Sequence, residues 1–181
     1  MMKAITDFQI PNVPWHRLTT AYGRGTDIPQ FIKEKQYASL AGLIEHQGTL
    51  WQVTPWTILA LIEKLRTEEP VQVSIEEIDL FLAVASALAD QDIQEVGSIK
   101  SLKDLLDDKY LWPEQEDGDE EEWEEEEPRG YEPDPFYGYY YFSGLLLKQG
   151  EAEFIRIMNG NEDLAPRIRE LLALLKHITA E

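Results

Sequence analysis

A dense acidic segment divides this chain and limits what it can fold into. Residues 114–134 hold 13 carboxylates and one base, Arg129, so their net charge is −12. A block of like charges repels itself at neutral pH and usually stays extended and solvated. Loops of this length are uncommon inside compact domains and are usually functional or disordered. The sequence therefore predicts a mobile acidic loop over residues 113–134, within a single domain that covers residues 1–181.

The charge and composition of the whole chain exclude several classes of site and partner. Lysine and arginine number 16 against 35 acidic residues, so the formal charge is −19, of which −7 lies outside the acidic segment. This balance argues against nucleic-acid binding, which needs cations facing phosphates, and against docking on anionic lipid. The chain has no cysteine, hence no disulfide or thiolate site. Its three histidines lack metal-ligand spacing. We predict no catalytic residue, no metal and no cofactor.

The sequence also carries no signal for a membrane or for export. Residues 1–7 lack the apolar stretch of a signal peptide. No apolar run approaches the roughly 18 to 20 residues that a membrane span needs. We therefore expect a cytoplasmic protein.

Helical signals recur through the rest of the chain. Apolar residues at helical spacing predict helices over residues 28–35, 37–46, 55–65, 75–89, 102–109, 136–149, 151–158 and 162–178. Expected N-caps are Asp27, Thr54, Ser74 with Glu77 as a capping box, Asp134 and Asn161. The aromatics of residues 137–142 suit a strand, but the start at Asp134 and Pro135 favours a helix there. Residues 71–73 are the one expected extended piece.

These elements predict an all-α fold. Seven or eight helices joined by short turns suit antiparallel pairs that stack side by side into a HEAT-like α-solenoid. Units of about 40 to 47 residues would give roughly four pairs. The sequence contains no clean internal repeat, so periodicity alone does not establish the stacking.

The N-terminal third carries a series of short motifs in a fixed order. They are Pro14 with Trp15, then Tyr22 with Gly23, then Pro29, and then the block His46, Gln47, Gly48 and Thr49. Over residues 12–66 this order resembles that of bacterial HEAT-like helical-repeat proteins, some of which look like immunity proteins that neutralise a toxin by binding it. The resemblance implies an α-solenoid and a binding role, and it implies no catalytic residue. The long acidic insertion departs from the family pattern.

Two residue groups in this region have competing interpretations. Residues 46–49 could form a polar site, but a structural turn in which Gly48 takes a left-handed conformation is favoured. Four aromatics could line a ligand pocket, although at this density they more often form core. They are Trp15, Tyr22, Trp51 and Trp56.

The acidic segment is the predicted partner-binding site. A flexible polyanion with embedded aromatics can steer and grip a basic protein surface. The candidate contacts are Glu120, Glu121, Glu122, Trp123, Glu124, Glu125, Glu126 and Glu127, with Tyr139 and Tyr140 either as adjoining anchors or as core. We predict a non-enzymatic protein-binding module, of the immunity-protein type, for a basic partner such as a toxin. The alternative is a structural or regulatory adaptor whose acidic loop is passive, and a carboxylate-dependent hydrolase ranks last.

Overall fold

Helices dominate the computed structural model, which describes residues 12–91, 97–115 and 129–178. Its α-helices are α1 (Ile28–Lys33), α2 (Tyr37–Ile44), α3 (Thr54–Leu65), α4 (Ile75–Ala89), α5 (Pro133–Gln149), α6 (Glu151–Gly160) and α7 (Ala165–Leu175). Short 3-10 helices lie at Trp15–Arg17, Pro70–Gln72, Leu102–Leu106, Asp108–Tyr110 and Glu162–Leu164. The prediction of a mostly helical fold is confirmed.

Two small antiparallel hairpins interrupt the helices near the N-terminus. In the first, β1 (Thr19–Thr20) pairs with β2 (Gly23–Arg24), with Thr19 opposite Arg24. In the second, β3 (Glu45–His46) pairs with β4 (Thr49–Leu50), with His46 opposite Thr49. Helix α2 therefore ends at Ile44, two residues before the predicted end, because the chain turns into β3.

The core is centred on α4, which is apolar on two sides and packs against α2, α5 and α7. Helix α3 packs against α5. Phe81 of α4 meets Phe154 of α6 edge to face, with ring centroids 5.0 Å apart. These contacts join helices that are far apart in the chain, whereas a solenoid places most contacts between neighbouring repeats. Stacking of helix pairs remains a prediction.

Several predicted boundaries and caps need correction. Residues 137–142 are helical, as expected, within α5. The Ser74 hydroxyl accepts a hydrogen bond from the Glu77 amide at 3.3 Å, which confirms Ser74 as the cap, but the Glu77 carboxylate bonds Lys64 and does not complete the predicted capping box. Thr54 does not cap α3, because its hydroxyl donates to the Ile44 carbonyl at 2.5 Å. The Asp27 and Asn161 side chains make no cap hydrogen bond. Asp134 is not the cap of α5 either, because it lies inside the first turn and its carboxylate accepts from the Ser98 amide at 2.8 Å.

Two other segments differ from the expected elements. The extended piece at residues 71–73 is wrong, since a 3-10 helix opened by Pro70 occupies this position. A proline suits the first helical position because its missing N–H has no partner there. The helix over residues 102–109 is instead two 3-10 helices. None of the described helices has the length and apolar character to cross a bilayer.

Candidate partner-binding surface

The motif at residues 46–49 forms the turn of the β3–β4 hairpin. Gln47 and Gly48 have φ angles of 51° and 81°. Positive φ at both central residues is characteristic of the type I′ turn that suits two-residue hairpins. The Glu45 carboxylate accepts a hydrogen bond from the Gly48 amide at 2.7 Å. The structural-turn interpretation is confirmed, although the turn joins two strands and does not end a helix.

Tyr140 of α5 is hydrogen-bonded to this hairpin on its buried side. Its hydroxyl donates to the Gly48 carbonyl at 3.0 Å and accepts from the Leu50 amide at 3.1 Å. Tyr140 is 2% exposed and Tyr139 is 1% exposed, so neither side chain can reach a partner in this conformation. Burial raises the pKa of both hydroxyls. Of the two roles considered for these tyrosines, core is correct and surface anchor is wrong.

Two sets of contacting rings lie at the hairpins and at the start of α5, one formed by Tyr22 and His46 and the other beginning at Trp51. The Tyr22 hydroxyl lies 3.1 Å from Nδ1 of His46, and their rings meet edge to face at 5.3 Å. Two residues after Thr49, the ring of Trp51 lies next to that of Tyr131, with centroids 5.5 Å apart. Ring contacts then continue from Tyr131 to Phe136 at 4.8 Å and from Phe136 to Tyr137 at 5.7 Å. We call this set the aromatic row: Tyr22, His46, Trp51, Tyr131, Phe136 and Tyr137.

The two ends of the aromatic row are open to solvent. Tyr22 is 67% exposed and Tyr137 is 44% exposed, while the rings between them are partly buried. The prediction that Tyr22 belongs to the core is therefore wrong, because the residue lies in the turn of the β1–β2 hairpin and packs only sideways on His46. Trp56 is fully buried, as predicted. Trp15 and Trp51 pack at the margin of the core.

Neutral hydrogen bonds attach Trp112 and Arg129 to β1, and these two residues flank the most acidic part of the segment, residues 116–128. The Thr19 hydroxyl accepts from Nε1 of Trp112 and donates to the Arg129 carbonyl, each at 2.8 Å. Gln52, which is buried, accepts from the Thr19 amide at 2.8 Å and donates to the Tyr110 carbonyl at 2.9 Å. We call Thr19, Gln52 and Trp112 the hairpin junction. It places residue 112 and residue 129 beside the same strand.

Two arginines strengthen the attachment on the N-terminal side of the acidic segment. Arg24 donates to the Pro113 carbonyl at 2.6 Å and to the Gln115 carbonyl at 3.0 Å. Arg17 donates to the Trp112 carbonyl at 2.6 Å. The predicted loop over residues 113–134 is thus too long at both ends, since residues 113–115 are held by arginine and α5 begins at Pro133. The predicted contacts at residues 120–127 lie outside the described residues.

A buried cluster of charges was not predicted from the sequence. Lys64 of α3 forms ion pairs with Glu68 and with Glu77, the latter at 3.1 Å, and Lys35 pairs with Glu68 at 2.7 Å. The Lys64 ammonium also lies 5.4 Å from the ring centre of Tyr37. We call Lys35, Tyr37, Lys64, Glu68 and Glu77 the charged cluster. The sequence signal for it was weak, because Glu77 reads as the carboxylate of a capping box.

Burial and pairing shift the carboxyl groups of this cluster in opposite directions. Burial raises the pKa of Glu77, and Lys64 only partly offsets this. Burial also opposes ionisation of Glu68, but hydrogen bonds from Lys35 and Lys64 outweigh it and lower the pKa of Glu68. Burial, together with the charges of Glu77 and Glu68, raises the pKa of Tyr37. The cluster joins α2, α3 and α4 through Tyr37, Lys64 and Glu77.

Within residues 12–91, 97–115 and 129–178, no group of three or more histidine or carboxylate side chains is placed to hold a metal ion. Comparisons with protein-family models, with curated proteins and with solved structures find no match to this chain.

Proposed function

We propose that this protein is a non-enzymatic protein-binding module whose partner presents a basic surface. The observation that carries the proposal is the attachment of both ends of the acidic segment to the hairpin junction. Residues 116–128 contain ten carboxylates and no base. Because Trp112 and Arg129 are both held beside β1, this charge lies on a chain segment whose two ends are fixed at one strand.

Concentrated negative charge next to aromatic side chains suits recognition of a cationic protein. Opposite charge accelerates encounter and selects among partners more than it adds affinity. Aromatic side chains are enriched at the centres of protein interfaces, where they supply most of the binding energy. In the form that the N-terminal resemblance suggests, the partner is a toxin with a cationic active site and this protein is its immunity protein.

The proposal is tested by neutralising the acidic segment in the full chain. Proteins retained by the purified chain at low salt are identified by mass spectrometry, and association with the pure partner is then measured at several salt concentrations. Changing the seven glutamates of residues 120–127 to glutamine should slow association about tenfold or more at low salt. An unchanged association rate, or binding that is insensitive to salt, contradicts the role of the segment.

A matched control removes the same number of negative charges from other parts of the chain. It neutralises seven exposed carboxylates elsewhere: Glu34, Glu69, Glu76, Glu151, Glu162, Asp163 and Glu170. Long-range attraction depends on net charge, so this control should slow association moderately. The proposal requires a clearly larger effect for the segment, because its carboxylates are the ones proposed to contact the partner directly.

A second function is favoured by the aromatic row. The row lies in the folded part of the chain, so a partner can dock there while the acidic segment stays passive, as in a structural or regulatory adaptor. Deleting residues 116–128 and bridging the junction with glycine and serine would then leave the partner's dissociation constant unchanged.

The HEAT-like arrangement of helices is part of the same proposal. Helix α1 packs against α2, and α6 packs against α7, as the two helices of a repeat unit would. An experimental structure in which successive pairs are related by a constant rotation would support the solenoid. A single bundle closed around α4 would contradict it.

A further inference from the structure

We infer that the aromatic row binds a cationic segment of the partner protein and takes lysine or arginine side chains onto its ring faces. This inference rests on the proposed function and assigns its contact site. The aromatic row would recognise the partner differently from the acidic segment, because its contacts are ring faces held in fixed positions and not carboxylates.

The first argument is that the aromatic row follows one face of the β3–β4 hairpin. His46 and Thr49 are directly opposite in the β3–β4 hairpin, so their side chains share one face, and Trp51 follows two residues later. Tyr22 extends this face at one end, and Tyr131, Phe136 and Tyr137 extend it at the other.

The second argument is the distribution of exposed rings. Among the described residues, five large hydrophobic side chains are exposed, and three of them, Val71, Ile75 and Ile155, are aliphatic. The two aromatic ones, Tyr22 and Tyr137, are the two ends of the aromatic row. Isolated exposed hydrophobics are ordinary, but a connected patch of rings marks an interaction surface.

The third argument is charge complementarity. The faces of aromatic rings carry partial negative charge and attract cations. A carboxylate lies beside the rings as well, since Glu132 is exposed between Tyr131 and the start of α5. The chain already uses this interaction nearby, since the Arg24 and Arg129 guanidinium groups lie 5.5 and 5.6 Å from the ring centre of Trp112.

The fourth argument is that the aromatic row is held in place before any partner arrives. The ring centroids of Phe136 and Tyr140 lie 5.2 Å apart, and the Tyr140 hydroxyl bonds the Gly48 carbonyl in the turn and the Leu50 amide in β4. Rings that are already ordered lose little conformational entropy on binding, which favours affinity.

The test uses labelled deca-lysine and deca-arginine peptides and a deca-leucine-serine repeat as an uncharged apolar peptide. The full-length protein carries the seven glutamine substitutions of residues 120–127, so that the acidic segment does not dominate binding. Tyr22→Leu and Tyr137→Leu keep apolar area but remove the ring face, whereas Tyr137→Phe keeps it. Ile155→Ala is the matched control away from the row. Circular dichroism checks that each variant is folded.

We expect each leucine variant to weaken binding of the cationic peptides about two- to fivefold. The double leucine variant should weaken it about tenfold, while Tyr137→Phe and Ile155→Ala stay within twofold. Equal binding of the leucine and phenylalanine variants overturns the inference. So does equal binding of the uncharged peptide, which indicates an apolar partner, or self-association through Tyr22 and Tyr137, which indicates a second copy of the chain.

The outcome separates this inference from the proposed function. If the row variants leave peptide binding unchanged while the seven glutamine substitutions still slow association with the natural partner, the row inference fails and the proposed function stands. If the natural partner has no basic surface, the proposed function fails whatever the peptides show.

Discussion

The hairpin junction and the charged cluster both bury polar side chains, but they satisfy them with different partners. In the junction, Thr19 and Gln52 bond backbone groups of segments far along the chain. In the charged cluster, Lys64 bonds Glu77 of α4 and Glu68, which lies in the connection after α3. Neutral groups bonded to backbone hold loops at any ordinary pH, whereas a buried ionic cluster depends on the charge of each member. The hydrogen bonds that hold Trp112 and Arg129 to Thr19 therefore do not depend on the charge of any side chain.

The largest expected effect comes from removing the cation of the charged cluster. Lys64→Met leaves Glu77, whose side chain is 1% exposed, and Glu68, at 7%, without their shared partner. Breaking a buried ion pair from one side is strongly destabilising, so we expect unfolding free energy to fall by about 3 kcal/mol in urea denaturation. Arg66→Met breaks the exposed pair with Glu63 and should cost under about 0.5 kcal/mol. Equal effects of the two variants would contradict the comparison.

A smaller loss is expected when the neutral junction is broken. Gln52→Leu leaves the Thr19 amide and the Tyr110 carbonyl without their hydrogen bonds. Unsatisfied buried groups of this kind should lower the free energy of unfolding by about 2 kcal/mol, equally at acidic and neutral pH. The exposed Gln149 gives the control, because Gln149→Leu should change stability by less than about 0.5 kcal/mol. A pH-dependent loss in Gln52→Leu would show that the junction is coupled to ionisable groups.

The pH dependence of stability should distinguish the two networks. Because the pKa of Glu77 is raised in the folded state, the folded protein binds more protons than the unfolded chain above pH 4.5, the ordinary value. Its contribution to stability therefore falls as pH rises through this window, and Glu77→Gln should gain relative to the native chain, by at most about 1.4 kcal/mol per pH unit. Glu68 acts oppositely, because its lowered pKa makes its contribution vanish as pH falls.

The measurement is urea denaturation of the native chain and of Glu77→Gln at several pH values above 4.5. Glu76→Gln, on the exposed side of α4, serves as the control and should follow the native chain. A native chain that gains stability relative to Glu77→Gln as pH rises would show that pairing with Lys64 outweighs burial.

The smallest expected effect is a gain in stability at the β3–β4 turn. Gln47 has a φ of 51°, which asparagine adopts more readily than glutamine, and type I′ turns favour asparagine before glycine. Gln47→Asn should raise the free energy of unfolding by about 0.5 kcal/mol. In α1 the same change at Gln30 should destabilise slightly, because asparagine is a poorer helix former. A loss at both positions would show that the Gln47 side chain contributes a contact of its own.

Local signals predicted the elements that depend on neighbouring residues. The Ser74 cap, the helix over residues 137–142 and the left-handed Gly48 follow from residues a few positions apart. The hairpins were missed because strands of two residues are too short to show alternation. Thr54 reads as a cap, but its hydroxyl is used by the Ile44 carbonyl, ten residues earlier.

The candidate site was predicted less well than the fold, for a related reason. Composition shows that this region is rich in aromatics, but it does not show which rings face inward. Tyr22 was expected in the core and is exposed, whereas Tyr140, considered as an anchor, is buried beneath the hairpin. Glu77 and Lys64 are 13 positions apart on different helices, so no local pattern indicates that they meet.

By itself, the sequence determined the helical character of this protein, the position of its acidic segment and its lack of thiol chemistry, since these depend on composition and on residues within a few turns of one another. Only the tertiary structure decided which tyrosines are surface and which are core, and that both ends of the acidic segment meet at Thr19. Burial and long-range hydrogen bonds are properties of residues brought together from distant parts of the chain, and local periodicity contains no record of them.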